Sequence, residues 1–388
     1  MKTPTLLKDS LKNAMPCTYC GNCKEYCPIF QTMKIESASP RGKMILIYLL
    51  ASGMLKPSRE AIKKFYLCTS CDACINACVS GLEVPKIIEH AKSEVVVVEP
   101  KFISTQISRI FKNTYAYGNP FGIGRAKRFN WAEGLNIQSP QKGNIKTLLF
   151  TCCILCYEPE LQSIARYTAL TLRKCGVVFA NLGKEEICCG DHILRLGEKG
   201  LFEELAKQNI SLFEKYGIEE IITISPHCYY VFKREKPYTE MEITAKHYTE
   251  VLTQLLESDK LKFRRTVEKT VAFHDPCFLG RKSGIYDEPR KILEAIPGVN
   301  LIEMKRNREN SFCCGGGAGR IWIEEAPPEQ RPSINRIKEA LELGVELLVV
   351  ACPFCKYMLN DAVSTLGVGD RVIVKDLVEV VAESLNLH

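Results

Sequence analysis

The chain has 388 residues, of which 46% are hydrophobic and 25% are charged, and its formal net charge is +7. This balance is typical of a globular protein with two or three domains, and it excludes a disordered or collagen-like chain. Its twenty cysteines stand in short-spaced groups, and its first residues lack the apolar core of a secretory signal. We therefore expect metal ligation in a reducing cytoplasm rather than a disulfide scaffold.

The longest apolar stretch, residues 44–55, falls short of the roughly 20 residues that a transmembrane helix needs. We therefore expect no membrane span within the chain. Cysteine thiolates that bind metal add negative charge, so the formal count of +7 overstates the positive charge of the metal-loaded protein. The basic composition is thus no sign of nucleic-acid binding, and we predict that Arg125, Lys127 and Arg128 lie on a solvated or partner-facing surface.

Residues 1–110 form the first predicted domain, because they contain two cysteine runs with helical patterns between and after them. Apolar periodicity predicts helices over residues 44–55, 59–66 and 85–98, and so a mainly α ferredoxin-type domain. Residues 111–145 are rich in Gly, Asn and Pro, which predicts a linker that lies over the surface.

The rest of the chain contains an internal cysteine repeat, which predicts two related domains over residues 146–265 and 266–388. The repeated positions, offset by 124, 125 and 127 residues, are Cys153 with Cys277, the pair Cys188–Cys189 with Cys313–Cys314, and Cys228 with Cys355. Predicted strands at residues 146–150, 221–224, 271–273 and 347–350 alternate with predicted helices such as 200–216 and 333–343. This alternation predicts α/β domains with parallel sheets, in which ligands gather beyond the carboxyl ends of the strands.

The two N-terminal runs have the spacing C-x2-C-x2-C-x3-C, which is that of a bacterial two-cluster ferredoxin. In such runs the fourth cysteine binds the other cluster. The predicted ligand sets of the two [4Fe–4S] cubanes are Cys17, Cys20, Cys23 with Cys78, and Cys68, Cys71, Cys74 with Cys27. Zinc also accepts four thiolates, but the doubled spacing favours iron–sulfur clusters.

The second repeat has five cysteines, more than one cubane needs, namely Cys277, Cys313, Cys314, Cys352 and Cys355. Adjacent thiolates do not easily serve two corners of one cube, so we expect a cluster with an opened core. Pro353 is predicted to begin a helix whose amides point at this negative site. The alternative is a structural group of cysteines without metal.

The first repeat is less complete, because Ser225 stands where the second repeat has Cys352. The cysteines that remain are Cys153, Cys188, Cys189 and Cys228, with Cys152, Cys156, Cys175 and His227 as spare candidates. Two interpretations stay open: a second cluster held by these cysteines, or a degenerate half kept for its fold.

The histidines are predicted to have different roles. His274, in the sequence HDPC, would either give a proton to a leaving thiolate or hydrogen-bond a cluster sulfur. His227 precedes Cys228, and hydrogen bonding is the favoured interpretation for it. His247 is expected to be structural, and His90 is expected to lie on the surface of a helix.

A double ferredoxin run followed by two Cys-Cys-Gly (CCG) domains resembles the catalytic D-type subunit of heterodisulfide reductase and its relatives. These relatives include the K-type subunit of the dissimilatory sulfite-reduction complex. They also include iron–sulfur subunits that serve electron-transferring flavoproteins or glycolate and glycerol-3-phosphate oxidases. The stretches that carry the resemblance are HDPCFLGRKSGIYDEPRKIL, NSFCCGGGAGRIWIEE, ACPFC, ESASPRGKMILI and YGNPFG.

The resemblance implies that a complete CCG motif, here Cys277, Cys313, Cys314, Cys352 and Cys355, binds a noncubane [4Fe–4S] cluster that cleaves disulfides. We therefore predict that Cys313 and Cys314 are catalytic, together with His274 on the proton-donor interpretation of its position beside Cys277. It implies a cytoplasmic subunit held at the membrane by a cytochrome b-type or flavoprotein partner, and a thiol or disulfide substrate or small disulfide carrier protein. The departure at Ser225 leaves one noncubane cluster expected and a second one open. The rival hypothesis is an electron relay from a flavin dehydrogenase or electron-transferring flavoprotein to the quinone pool.

Overall fold

The computed structural model describes residues 6–140, 145–323 and 327–387. Residues 1–5, residues 141–144 of the predicted linker, residues 324–326 and residue 388 lie outside the described residues. No helix of the described ranges is long and apolar enough to cross a membrane.

The N-terminal part is helical in its described residues. Its helices are α1 (Lys8–Ala14), α2 (Cys23–Tyr26), α3 (Pro28–Met33), α4 (Pro40–Ala51), α5 (Arg59–Tyr66), α6 (Val84–Val98) and α7 (Thr105–Tyr117). Helix α5 has the predicted bounds, whereas α4 begins four residues before the predicted helix because Ser39 caps it and Pro40 takes its first position. Helices α4, α5 and α6 pack together, and their buried residues belong to the same hydrophobic core as Cys71 and Cys74.

The predicted linker is partly helical and partly buried, which corrects the surface interpretation. It begins within α7 and continues into a 3₁₀ helix over Arg125–Ala132. Trp131 is 1% exposed and Arg128 is 2% exposed. The prediction of a solvated Arg128 is therefore wrong, because its guanidinium forms a buried ion pair with Glu186 at 2.5 Å.

The first repeat contains a three-stranded parallel sheet in the order β1-β2-β3. Its strands are β1 (Thr147–Phe150), β2 (Glu220–Thr223) and β3 (Thr244–His247). Its helices are α8 (Cys153–Tyr157), α9 (Gln162–Lys174), α10 (Asp191–Arg195), α11 (Lys199–Lys215), α12 (Pro226–Arg234) and α13 (Tyr248–Glu257).

The second repeat contains a four-stranded parallel sheet in the order β5-β4-β6-β7. Its strands are β4 (Lys269–Phe273), β5 (Val299–Ile302), β6 (Leu347–Val350) and β7 (Ile373–Asp376). Its helices are α14 (Asp287–Ala295), α15 (Pro332–Leu343), α16 (Pro353–Leu366) and α17 (Leu377–Leu385).

The predicted fold class is confirmed: a helical ferredoxin-type part is followed by two repeated α/β units with parallel sheets. In both units the cysteines follow the carboxyl ends of neighbouring parallel strands. Cys153 and Cys228 come after β1 and β2, and Cys277 and Cys352 come after β4 and β6. Parallel strands end at one edge of a sheet, so each unit gathers its cysteines at one place.

Candidate metal centres

In each ferredoxin run the fourth cysteine lies beside the first three cysteines of the other run. Burial raises the pKa of Cys17, and the nearby charges of Cys78 and Cys20 raise it further. Burial also raises the pKa of Cys27 to about 11, with Cys71 and Cys68 among the neighbours that act on it. Cys78 therefore lies with the first run and Cys27 with the second, as the predicted ligand sets require.

The two groups differ in their access to solvent. In the first group Cys20 is exposed, and Cys17 and Cys23 are half-buried. In the second group Cys71 and Cys74 are buried. The first group thus lies near the surface and the second lies inside the molecule.

Two buried lysines stand beside the second group. Burial lowers the pKa of Lys43, whereas the thiolates of Cys27, Cys68 and Cys74 raise it. Burial likewise lowers the pKa of Lys92, and Cys68 is the first neighbour that raises it. Buried ammonium groups need a counter-charge, and a cluster with four thiolates has a net negative charge that would meet this need.

The five cysteines of the second repeat form a continuous series of thiol contacts. The Sγ atoms of Cys277 and Cys313 are 3.9 Å apart, and Cys313 contacts Cys314. Cys314 contacts Cys355, and Cys355 contacts Cys352. All five side chains are buried, so the predicted ligand set is assembled in one place.

A glycine amide supports each Cys-Cys pair. The N–H of Gly315 donates to Sγ of Cys313 at 3.4 Å, and the N–H of Gly190 donates to Sγ of Cys188 at the same distance. Both glycines have a φ near +90°, which favours glycine. A Cβ on Gly315 would also lie 2.9 Å from Cδ of Pro332. The Gly of each CCG motif is thus needed to aim an N–H group at a thiol.

His274 lies against the cysteines of the second repeat. One ring nitrogen lies within 4.8 Å of the Sγ atoms of Cys314 and Cys355. Its Nδ1 accepts a hydrogen bond from Nε of Arg336 at 3.0 Å. Burial, followed by the charge of Arg336, holds the pKa of His274 well below its usual range. The neutral ring therefore has its hydrogen on Nε2, which has no partner among the described protein atoms.

His227 of the first repeat reaches the site of the second. Its Nδ1 is 2.7 Å from a carboxylate oxygen of Asp191, and its ring bonds to the Cys352 thiol. Burial alone would lower the pKa of His227, but Asp191 and Cys352 raise it to about 10. Burial would raise the pKa of Cys352, but Cys355 and His227 lower it to about 5. The sequence does not predict this contact between the repeats, because the two residues are 125 positions apart.

His192 completes a buried group with Asp191 and His227 whose ligand atoms lie within 4.8 Å of one another. The Nε of Arg195 lies 3.3 Å from Asp191 and adds a positive charge there. Burial and the charge of His227 lower the pKa of His192 to about 3. The group is thus already charge-balanced and is a poor site for a further cation.

The ferredoxin part packs directly on the site of the second repeat. Cys71 and Cys313 form a thiol contact. Arg281 donates through Nε to the carbonyl of Cys71 at 2.8 Å, and Lys282 forms a 2.6 Å ion pair with Asp72. A Cβ on Gly317 would lie 2.3 Å from the Thr69 carbonyl oxygen. The second predicted cubane and the second-repeat cysteines therefore share one buried junction.

The first repeat also gathers its predicted cysteines. Cys153 contacts Cys188, Cys188 contacts Cys189, and Cys189 contacts Cys228. Arg128 donates through Nη1 to Sγ of Cys153 at 3.3 Å. The sequence predicts a surface position for this arginine, and no local pattern indicates its buried role, because its partners Glu186 and Cys153 are distant in the chain.

The spare candidates of the first repeat fall in different places. Cys156 is buried in α8 and donates to the carbonyl of Cys152 at 3.2 Å. Cys175 follows the last residue of α9, away from the series of thiols. His247 is structural as predicted, since it caps α13 and bonds to Thr249 and the carbonyl of Ile224. His90 is exposed as predicted.

The described residues fit iron–sulfur clusters. All twenty cysteines lie within the described ranges, and none of them forms a disulfide there. Buried lysines, N–H donors and clustered thiols are what a buried anionic cluster requires. The fold and these sites define the class of the protein as an iron–sulfur protein with a ferredoxin-type part and two CCG-type units.

Comparison with known families agrees with this class. The model of the 4Fe-4S dicluster domain matches residues 13–82, and that of the cysteine-rich CCG domain matches residues 147–233 and 271–360. The D-type subunit of the dihydromethanophenazine:CoB--CoM heterodisulfide reductase of Methanosarcina barkeri is 30% identical, covering 99% of this chain and 97% of that protein. The chain belongs to the family of CCG-domain iron–sulfur oxidoreductases that includes this D-type subunit of heterodisulfide reductase.

Two other relatives are longer proteins. The probable iron-sulfur-binding oxidoreductase FadF of Bacillus subtilis is 37% identical over 83% of this chain and 47% of its own length. The EtfAB:quinone oxidoreductase of Syntrophomonas wolfei is 31% identical over 95% of this chain and 58% of its own length. The chain thus spans about half the length of these two relatives.

Proposed function

We propose that the chain is an oxidoreductase subunit that passes single electrons through two [4Fe–4S] cubanes to a noncubane [4Fe–4S] cluster, where a disulfide is reduced. The noncubane site would be formed by Cys277, Cys313, Cys314, Cys352 and Cys355. The contact between Cys71 and Cys313 carries this proposal, because it joins a predicted cubane ligand to the cysteines at which we expect the chemistry.

Reduction of a disulfide breaks one S–S bond, takes up two electrons and two protons, and releases two thiols. Bound clusters would supply the electrons one at a time. The residues of the chain would keep the site dry, since the five cysteines and His274 are buried. A dry site strengthens each N–H···S contact to negative sulfur.

His274 would act as a hydrogen-bond donor rather than as a proton source. Arg336 always donates, so Nδ1 of His274 is the acceptor, and the hydrogen of the neutral ring is on Nε2. Such a hydrogen can stabilise a cluster sulfur or a departing thiolate, whereas a neutral imidazole does not readily give up its last proton.

Electrons would enter at the first ferredoxin run. Cys20 is exposed, and large apolar side chains around the run are exposed too, including Met15 at 72% and Tyr26 at 49%. This surface suits a redox partner such as a cytochrome b-type membrane subunit or a flavoprotein. The names of the relatives, which include subunits of larger redox enzymes, support a partner of this kind.

A relay without disulfide chemistry is the second candidate. It is favoured by the similarity to FadF and to the EtfAB:quinone oxidoreductase. In that case electrons from a flavin dehydrogenase or electron-transferring flavoprotein would pass through the same cubanes to the quinone pool.

A single-turnover experiment separates the two candidates. The holoprotein is photoreduced under anaerobic conditions, freed of reductant and mixed with bis(2-hydroxyethyl) disulfide or with a soluble quinone. We expect two thiols released for each two electrons lost from the clusters. Cys313→Ser should stop thiol release while the cubane signals persist, and Cys175→Ser, outside the series of thiols, should behave like wild type. Oxidation by the quinone without thiol release from the disulfide would favour the relay.

A further inference from the structure

We propose that the first repeat binds its own iron–sulfur cluster through five thiols, with Cys152 in place of the cysteine that is missing at Ser225. This proposal concerns the first repeat alone and does not depend on disulfide chemistry at the second. The evidence is a one-to-one match between the thiol contacts of the two repeats.

In the second repeat the contacts run from Cys277 through Cys313, Cys314 and Cys355, and they end at Cys352. In the first repeat they run through the four corresponding cysteines in the same order, Cys153, Cys188, Cys189 and Cys228. The thiol of Cys228 then contacts that of Cys152. Cys152 therefore ends the first series as Cys352 ends the second.

Ser225 does not supply the fifth thiol, and its side chain caps a helix instead. It is the N-cap of α12, as Cys352 is the N-cap of α16. Its hydroxyl oxygen accepts a hydrogen bond from the backbone N–H of His227 at 3.3 Å. The first repeat thus keeps the helix cap at this position, and Cys152, which precedes α8, supplies the fifth thiol beside Cys228.

The backbone of Cys152 supports a functional role. Its φ is 70° and its ψ is 140°, a conformation that costs free energy for any residue other than glycine. The residue at the same place in the second repeat is Pro276, which offers no ligand. A strained, buried cysteine directed at a neighbouring thiol is what a ligand position would preserve.

The other parts of a cluster site are also present in the first repeat. The N–H of Gly190 donates to Cys188 as that of Gly315 donates to Cys313. Arg128 places a fully buried positive charge on Cys153, balanced by Glu186. A guanidinium and an amide aimed at sulfur are the positive charge and the hydrogen-bond donor that an anionic cluster with cysteine ligands needs.

The test is the iron content and the ⁵⁷Fe Mössbauer spectrum of anaerobically purified holoprotein. With two cubanes and a cluster in each repeat, wild type should contain about sixteen irons. Cys152→Gly should relax the backbone and retain the fold, yet lose about four irons. Cys152→Ser should lose the same number of irons, and Cys175→Ser is the control that should lose none.

A rescue variant separates ligation from folding. Cys152→Gly combined with Ser225→Cys rebuilds the arrangement of the second repeat, and it should regain the lost irons. The proposal is overturned if Cys152→Gly keeps the wild-type iron content and spectrum, or if the combined variant stays deficient. The signal of the second-repeat cluster, recorded in the same samples, should not change, so failure at one repeat is distinguishable from failure at the other.

Discussion

Lys43 and Lys92 show how single buried charges can set the properties of the second predicted cubane. Lys43 lies in α4 and Lys92 in α6, and both are buried beside the thiols of this cluster group. Nζ of Lys92 donates to the carbonyl of Arg195 at 3.0 Å, which fixes its position. A positive charge near a cluster favours the state with one more electron and so raises its reduction potential.

Removing the charge of Lys43 should therefore lower the potential of the second cubane. A unit charge about 4 Å away contributes about 4 kcal/mol at an effective dielectric constant of about 20, and the contribution falls with distance, so we expect Lys43→Met to lower the potential by on the order of 100 mV. Redox titration followed by electron paramagnetic resonance (EPR) measures this shift. Lys12→Met, at an exposed position, is the control. An unchanged potential in Lys43→Met would show that the ammonium does not act on the cluster.

The Nε2 hydrogen of His274 should also affect the rate of thiol release. His274→Phe removes the Nε2 hydrogen but keeps an aromatic ring of similar size. Hydrogen-bonding partners around a metal site typically change activity by about 10–100-fold. We therefore expect the rate of thiol release to fall by about that factor, with the iron content unchanged. His90→Phe, on the exposed face of α6, should have no effect. Loss of iron from His274→Phe would instead indicate that the ring binds the metal.

The sequence predicts which cysteines belong together but not every residue that serves them. Short spacings and the repeat offset identify the cysteine groups, because these are local patterns. The ion pair of Arg128 with Glu186 and the contact of His227 with Cys352 join residues that are distant in the chain, so no local pattern reveals them. The sequence offers Cys152 only as a spare candidate, since its role depends on where its thiol points.

At the scale of elements, the same strand–helix junction is used repeatedly. Helices α12 and α16 each begin with a proline directly after their N-cap, and each brings a cysteine of its site to its first turn. Strand β3 and helix α13 meet at His247, which forms a capping box with Glu250. These junctions fix the carboxyl edge of each sheet, where the cysteines lie.

The capping histidine predicts a pH dependence of stability. Burial lowers the pKa of His247 to about 3, against about 6.5 in an unfolded chain. A depressed pKa means that the stabilising contribution is fully present above about pH 6.5 and is lost as the pH falls toward about 3. We therefore expect the contribution of His247 to the free energy of unfolding to fall by up to about 1.4 kcal/mol per pH unit below about pH 6.

The difference in unfolding free energy between wild type and His247→Gln measures the contribution of His247 to stability. Urea unfolding of both holoproteins at pH 7.5 and pH 5.5, followed by circular dichroism, should show a stability gap that narrows at the lower pH. His90→Gln is the control, because its side chain is exposed and should give no such narrowing. A gap of constant size would mean that His247 is not held neutral.

Strands are predictable from the sequence where they are apolar and central. The pattern over residues 347–350 predicts the bounds of β6, whose four residues are all buried. The sequence does not predict the strands β3, β5 and β7. They lie at sheet edges and contain exposed or half-buried residues, so their patterns resemble those of loops.

Across the whole molecule, the predicted centres lie at increasing depth from the surface. The first ferredoxin cysteine group is partly exposed, and the second is buried. The second group contacts the cysteines of the second repeat, since Cys71 touches Cys313. The junction is tight, because Gly317 leaves no space for a side chain beside Thr69.

Widening this junction should slow electron transfer without removing iron. A Cβ on Gly317 would meet a backbone oxygen that cannot move alone, so Gly317→Ala should separate the ferredoxin part from the second repeat and cost about 1–3 kcal/mol of stability. Rapid-freeze EPR should show slower oxidation of the cubanes by disulfide. Gly369→Ala is a matched control, since its nearest neighbour would be 3.8 Å away. Wild-type rates in Gly317→Ala would argue against this route.

The most direct test of the central claim is EPR of the oxidised holoprotein with and without 2-mercaptoethanol. If the cysteines at 277, 313, 314, 352 and 355 hold a cluster that reacts with sulfur substrates, the thiol should produce a new signal in wild type. The same signal should be absent from Cys313→Ser, and it should be present in Cys175→Ser. A signal that does not depend on thiol, together with a total of about eight irons, would contradict the account and leave only the two cubanes.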